Sequence, residues 1–225
     1  MEKGEFKDAE RAQKSLLAAT EKRVLIWFAQ RMPAWINSDH LTVLGALGML
    51  GAGLSYWYAS TNRAGLLMAI GCLVINWFGD SLDGTLARVR QKLRPRYGFY
   101  VDHVVDTFGA LFLIGGLGLS GYMSPPVAAA LLISYYMVAI EVFLATYCLG
   151  TFHLSFAKWG PTELRILLCI GSLFLFFRGP VAHIAGKTYL LFDVGGVIGT
   201  AGMLSMMITS SIRHTVRLFR QERIS

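Results

Sequence analysis

Long apolar runs, separated by short polar breaks, leave few folds open to this chain. They cover residues 40–60, 64–90, 97–121, 126–149, 162–178 and 190–212, and most approach the ~20 residues that cross a bilayer as a helix. Only 16% of the residues are charged, against about a quarter in a soluble domain. Inside lipid a helix satisfies its own backbone polar groups. The pattern therefore predicts an all-α polytopic membrane protein of six transmembrane helices. The breaks are Thr61-Asn62-Arg63, the basic loop 89–96, Ser124-Pro125-Pro126, Gly160-Pro161, and Gly179-Pro180 with the polar stretch behind it. The Gly-rich stretches 45–53, 115–121 and 195–202 suit close helix approach, and Gly195-x3-Gly199 offers a seam for a homodimer.

Residues 1–36 are charged, then amphipathic. Leu16, Leu17, Val24, Trp27 and Phe28 share roughly one helical face. That suits a helix lying in the membrane interface or one packed on the cytoplasmic side of the domain. The organisation expected is this N-terminal segment, 1–36, then one transmembrane domain, 37–225. Ser38 or Asp39 can cap the first span. The opening residues are too acidic for a secretory signal. The loop 89–96 and the tail with Arg213, Arg217, Arg220 and Arg223 hold most of the basic residues, so both termini and that loop are expected in the cytoplasm. The net charge of +7 then reads as cytoplasmic loops and anionic lipid, without nucleic acid. Cys72, Cys148 and Cys169 lack metal-ligand spacing and read as buried small apolar residues.

Four aspartates stand on the ends of two of these runs: Asp80-x2-Asp83-Gly84-x2-Ala87-Arg88-x9-Gly98-x3-Asp102-x3-Asp106. Each acid in a membrane helix costs about 2.5–3.5 kcal/mol on insertion scales, so something must offset them. Residues three and four apart share a helix face. Folding the two spans as a hairpin about residue 93 sets Asp83 level with Asp102, and Asp80 level with Asp106. Such a cluster suits Mg²⁺, Mn²⁺ or Ca²⁺, and two ions can clamp a pyrophosphate. Gly84 and Gly98 remove side chains where a phosphate could approach, and Arg88 supplies a guanidinium for it. A divalent-cation transport path is the reading from another class, but a fixed Arg88 does not suit it.

This 27-residue stretch, with eight positions fixed in type and spacing, resembles the signature of the class I CDP-alcohol phosphotransferases. The stretch Asn37-Ser38-Asp39-His40-Leu41-Thr42 is similar too. The gap after Arg88 is nine residues where the family pattern has eight, a loop difference. The resemblance implies a phospholipid-synthesising membrane enzyme. An alcohol hydroxyl attacks the phosphorus of a CDP-linked donor, and CMP leaves. By motif position it implies Asp80, Asp83, Asp102 and Asp106 as metal ligands and Asp106 also as general base. It places Gly84, Ala87, Arg88 and Gly98 at the CDP moiety. Small size and six spans resemble the branch that transfers phosphatidyl from CDP-diacylglycerol. The reverse arrangement, a CDP-aminoalcohol with diacylglycerol as acceptor, is the alternative. The acceptor could be glycerol phosphate, inositol or its phosphate, serine, or another alcohol.

Other polar residues read more simply. His103 points about 100° away from Asp102 and reads as a neighbour, not a ligand. Glu141 either lines the polar cavity or pairs with an arginine. Lys158, Glu163 and Arg165 flank the fifth span, where snorkelling explains them; the resemblance also allows the basic ones, Lys158 and Arg165, to hold a phosphorylated acceptor. Asp193 is expected at the opposite end.

Overall fold

The computed structural model describes residues 18–149, 161–184 and 187–222. Seven helices and one strand pair follow in order: α1 (Ala18–Arg31), α2 (Ser38–Ala59), α3 (Ala64–Val89), α4 (Pro95–Leu119), α5 (Pro125–Leu149), α6 (Pro161–Arg178), β1 (Val181–Ile184), β2 (Lys187–Leu190) and α7 (Leu191–Gln221). The strands pair antiparallel, Val181 with Leu190 and Ile184 with Lys187.

Prolines start α4, α5 and α6, where a missing N–H breaks no helical bond. The α2 cap lies one residue before the expected Ser38 or Asp39. Asn37 Oδ1 accepts the His40 N–H at 3.1 Å, and His40 Nδ1 accepts the Asn37 N–H at 3.3 Å. Asp39 is engaged instead by Arg94. The end of α3 is a Schellman turn: Lys92 N–H reaches Ala87 O, Gln91 N–H reaches Arg88 O, and Gln91 takes φ 54°.

Five helices, α2 to α5 and α7, are long and apolar enough to cross a membrane. Six were expected from the sequence. The difference is α6, which has 18 residues and carries Glu163, Arg165 and Arg178. The outward faces of the long helices are apolar: Leu47, Leu54, Ile133, Ile140 and Ile198 are each more than half exposed. That much bare apolar surface suits lipid rather than water. The chain is an integral membrane protein. Among the cysteines the expectation of burial fails: Cys148 is exposed and the other two are half-buried.

The packing centre is α2, which lies against both α3 and α4. Glycines permit this. A Cβ on Gly79 of α3 would stand 2.5 Å from Leu41 O of α2, and one on Gly116 of α4 would stand 2.1 Å from Gly53 O. The expected close approach at 45–53 and 115–121 is therefore present. In the third glycine stretch, Gly199 meets Leu131 of α5, while Gly195 faces open space. Helices α5 and α7 run parallel, tied by Ser124 N–H to Asp193 at 2.7 Å at one end and by His214 to Glu141 at 2.7 Å nearer the other.

Apolar packing divides into two clusters. One joins Ala52, Tyr56, Leu66, Leu73, Leu113, Leu117, Leu175 and Phe192. The other joins Leu25 and Ala29 of α1 to Leu41, Leu82 and Leu86. The aspartates of α3 lie on the same stretch of helix as Leu82 and Leu86, turned to another face.

Candidate active site

Helices α3 and α4 carry the motif, yet they do not pack along each other as a tight hairpin; α2 lies behind both. The space between them is where the acids meet. One carboxylate oxygen from each of Asp80, Asp102 and Asp106 lies within 4.8 Å of the others. Asp80 and Asp102 are half-buried and Asp106 is exposed. The i, i+4 spacing of Asp102 and Asp106 puts both on one face of α4.

Asp83 is not in that trio. Its Oδ2 accepts the Thr42 hydroxyl of α2 at 2.6 Å, and its other oxygen accepts the Gly84 N–H. The Thr42 bond from α2 holds Asp83, expected level with Asp102, outside the trio. Thr42 is within the Asn37–Thr42 stretch that the sequence singled out, although not for this bond.

Gly84 and Gly98 border open space. A Cβ on Gly98 would meet no protein atom within 4 Å, and one on Gly84 would meet only the Arg88 guanidinium at 3.9 Å. These glycines serve no helix packing, in contrast to Gly79 and Gly116. Ala87 is half-buried and Arg88 exposed beside them. Arg90 and Arg94 of the loop have structural work. Arg90 donates to the carbonyls of Met32 at 2.8 Å and Pro33 at 2.9 Å, and to Ile36. Arg94 pairs with Asp39 and stacks over Tyr97, 4.2 Å from the ring centre. That hydrogen bond to Asp39 holds the Arg94 guanidinium above its ordinary pKa.

Arg165 of α6 donates to Asp80 Oδ2 at 2.6 Å, with side chains only 13% and 28% exposed. Snorkelling does not describe it. Lys158 lies outside the described residues. Glu141 meets His214, neither the site nor an arginine. His103 Nδ1 lies 2.6 Å from Phe99 O, and its ring packs on Phe99 and Phe143; it is a neighbour, as expected. Asp193 sits at the far end, as expected. Sequence reasoning missed Glu21 of α1, which accepts from Trp77 Nε1 at 2.7 Å and Thr162 Oγ1 at 2.9 Å. No short-range signal marks it, because both partners are distant in sequence.

The donor set is chemically apt for a divalent cation. It is all oxygen, it converges from two rigid helices, and it lies on the helices whose Gly84 and Gly98 border open space. Fold and site together define a helical membrane protein with an acidic centre opening between two spans. The comparison with protein families is specific: residues 35–209 match the CDP-alcohol phosphatidyltransferase family. The chain belongs to that family, whose members transfer a substituted phosphate from a CDP-alcohol to an acceptor and generally use divalent metals. No individual curated protein matches the chain.

Proposed function

We propose that this protein transfers phosphatidyl from CDP-diacylglycerol to a small alcohol, with release of CMP. The observation that carries the reading is the meeting of Asp80, Asp102 and Asp106 within 4.8 Å beside the open faces of Gly84 and Gly98. Asp80, Asp102, Asp106 and, after release from Thr42, Asp83 would hold Mg²⁺ or Mn²⁺, in a pair. Bound there, such ions neutralise pyrophosphate charge and stabilise the leaving oxygen. Gly84 and Gly98 give the CDP moiety room, Ala87 lines it, and the Arg88 guanidinium, overhanging Gly84, pairs with phosphate oxygens.

Asp106 is the exposed member of the trio and so the one an incoming alcohol can reach. Its carboxylate takes the hydroxyl proton as the oxygen bonds to phosphorus. The bond from that phosphorus to the CMP oxygen breaks, and CMP departs with the electron pair. A diacylglycerol portion on one of the substrates is supported by a groove of about 300 Å³ between α2 and α4, lined by Val43, Leu47, Leu50, Val105 and Phe112 with Asp39 and Thr42 at its polar end. It suits an acyl chain.

The same reading makes α6 a sixth span, α1 an amphipathic helix at the interface, and the termini and site cytoplasmic. It takes the protein as a homodimer, with residues 1–36 an appendage to one catalytic domain, 37–225. The test is CMP release by purified protein given CDP-diacylglycerol and a panel of alcohols. Release should require one alcohol and Mg²⁺ or Mn²⁺, and excess chelator should abolish it. Turnover undiminished in chelator would refute the metal assignment. Release only from a CDP-aminoalcohol with diacylglycerol would reverse donor and acceptor.

A further inference from the structure

We propose that Glu21 is a positioning residue of the site, which ties α3 to α6 through α1 and so keeps Arg165 on Asp80. One oxygen of Glu21 accepts from three side chains: Trp77 Nε1 at 2.7 Å, Thr162 Oγ1 at 2.9 Å and Ser81 Oγ at 3.4 Å. Trp77 and Ser81 flank Asp80 on α3. Thr162 stands one turn before Arg165 on α6. The Glu21 cluster and the Arg165–Asp80 pair, 2.6 Å long, therefore join the same two helices at neighbouring positions.

Helix α1 is itself fixed. Leu25 and Ala29 pack on Leu82 and Leu86, and Phe28 meets Phe78 edge-on at 5.4 Å. Beyond its end, Arg90 grips the carbonyls of Met32, Pro33 and Ile36. A carboxylate carried on so rigid a helix sets the spacing of whatever it bonds. A charged acceptor shared by three donors is also stronger than a neutral one. The Arg165 guanidinium occupies an oxygen of Asp80 that a cation would otherwise draw on. Glu21 thereby tempers how tightly the acidic trio takes a divalent ion, an inference that rests on the metal reading above.

The experiment uses full-length protein with its native cysteines replaced. Spin labels at Val89 of α3 and Leu164 of α6 report the helix spacing, and Mn²⁺ titration without donor reports the ion affinity. Wild type and Glu21→Gln, which keeps the acceptor oxygen, should give one narrow distance. Glu21→Ala should broaden it. Arg165→Gln should bind Mn²⁺ several-fold tighter, Glu21→Ala should do so to a similar degree, and the double variant should gain nothing further, as coupled residues do. Should Glu21→Ala not fold, Trp77→Phe removes one donor and should shift both readouts the same way by less. Unchanged distance and unchanged Mn²⁺ affinity in a folded variant overturn the proposal, as does an effect that adds fully to that of Arg165→Gln. Loss of the narrow distance in a protein whose wild type takes up no Mn²⁺ would leave the clamp standing and defeat the metal reading instead.

Discussion

Asp83 and Asp106 illustrate how one residue type takes different parts by its neighbours. Asp83 is turned toward α2 by the Thr42 hydroxyl, whereas Asp106 is exposed on the open side of the trio. Asp106→Asn should keep donor affinity near its wild-type value and lower turnover by roughly 10²–10⁴-fold, the usual worth of a general base. Steady-state kinetics beside a direct donor-binding measurement check this, and near-normal turnover would remove Asp106 from the chemistry. Gly98 gives a sharper contrast. With nothing within 4 Å of a new Cβ, Gly98→Ala should leave stability unchanged or raise it by up to about 1 kcal/mol, the helix preference of Ala over Gly. It should nevertheless raise the donor KM, because the methyl group enters the ligand's space. A fall in melting temperature with unchanged KM would show that the glycine serves the fold. The shared face of Asp102 and Asp106 was legible in the sequence because local helical periodicity sets it, and Asp80 was placed opposite Asp106 only by folding α3 back on α4. Thr42, Arg165 and Glu21 were not legible as partners, because each bond joins segments whose proximity only the packed fold decides.

At the scale of the element, the seam between α2 and α4 aligns the two halves of the site. Gly116→Val would drive a side chain into the carbonyl of Gly53, 2.1 Å from the first added carbon. Backbone cannot yield as a side-chain tip does, so the helices must part. The expected cost is at least the ~1–3 kcal/mol typical of overpacking, with loss of activity in the same protein, read by thermal unfolding and CMP release. The turn after α3 offers the opposite change. Gln91 holds φ 54°, where glycine is the usual occupant, so Gln91→Gly should stabilise by about 1 kcal/mol; a destabilised variant would contradict the Schellman assignment. The starts of α4, α5 and α6 fall one or two residues before the expected 97, 126 and 162, because Pro95, Pro125 and Pro161 serve as first helical residues and not as breaks. The α7 end was not readable: apolar periodicity fades near residue 212, but the helix continues to Gln221, since Arg, Leu and Gln are good helix formers. The strand pair was also missed, because four residues per strand give too short an alternation to read.

Across the whole molecule, basic residues gather where α3 joins α4 and where α7 ends. Helix α7 has 31 residues and is about 46 Å long at 1.5 Å per residue, well beyond the ~30 Å of hydrocarbon. Its last turns, with Arg213, Arg217 and Arg220, must project past the lipid. A cysteine in place of Lys92, in a background without the native cysteines, should react with impermeant reagents from the cytoplasmic side alone; labelling from outside intact cells would invert the topology. One contact also bears on the order in which the molecule is made. Glu21 bonds Thr162, 141 residues later in the chain. At ~5–20 residues per second the ribosome needs roughly 7–28 s to bridge that gap. Helix α1 is therefore fully secured only after α6 is made, and a nascent chain halted before α6 holds every aspartate of the motif without the bond that links α1 to α6.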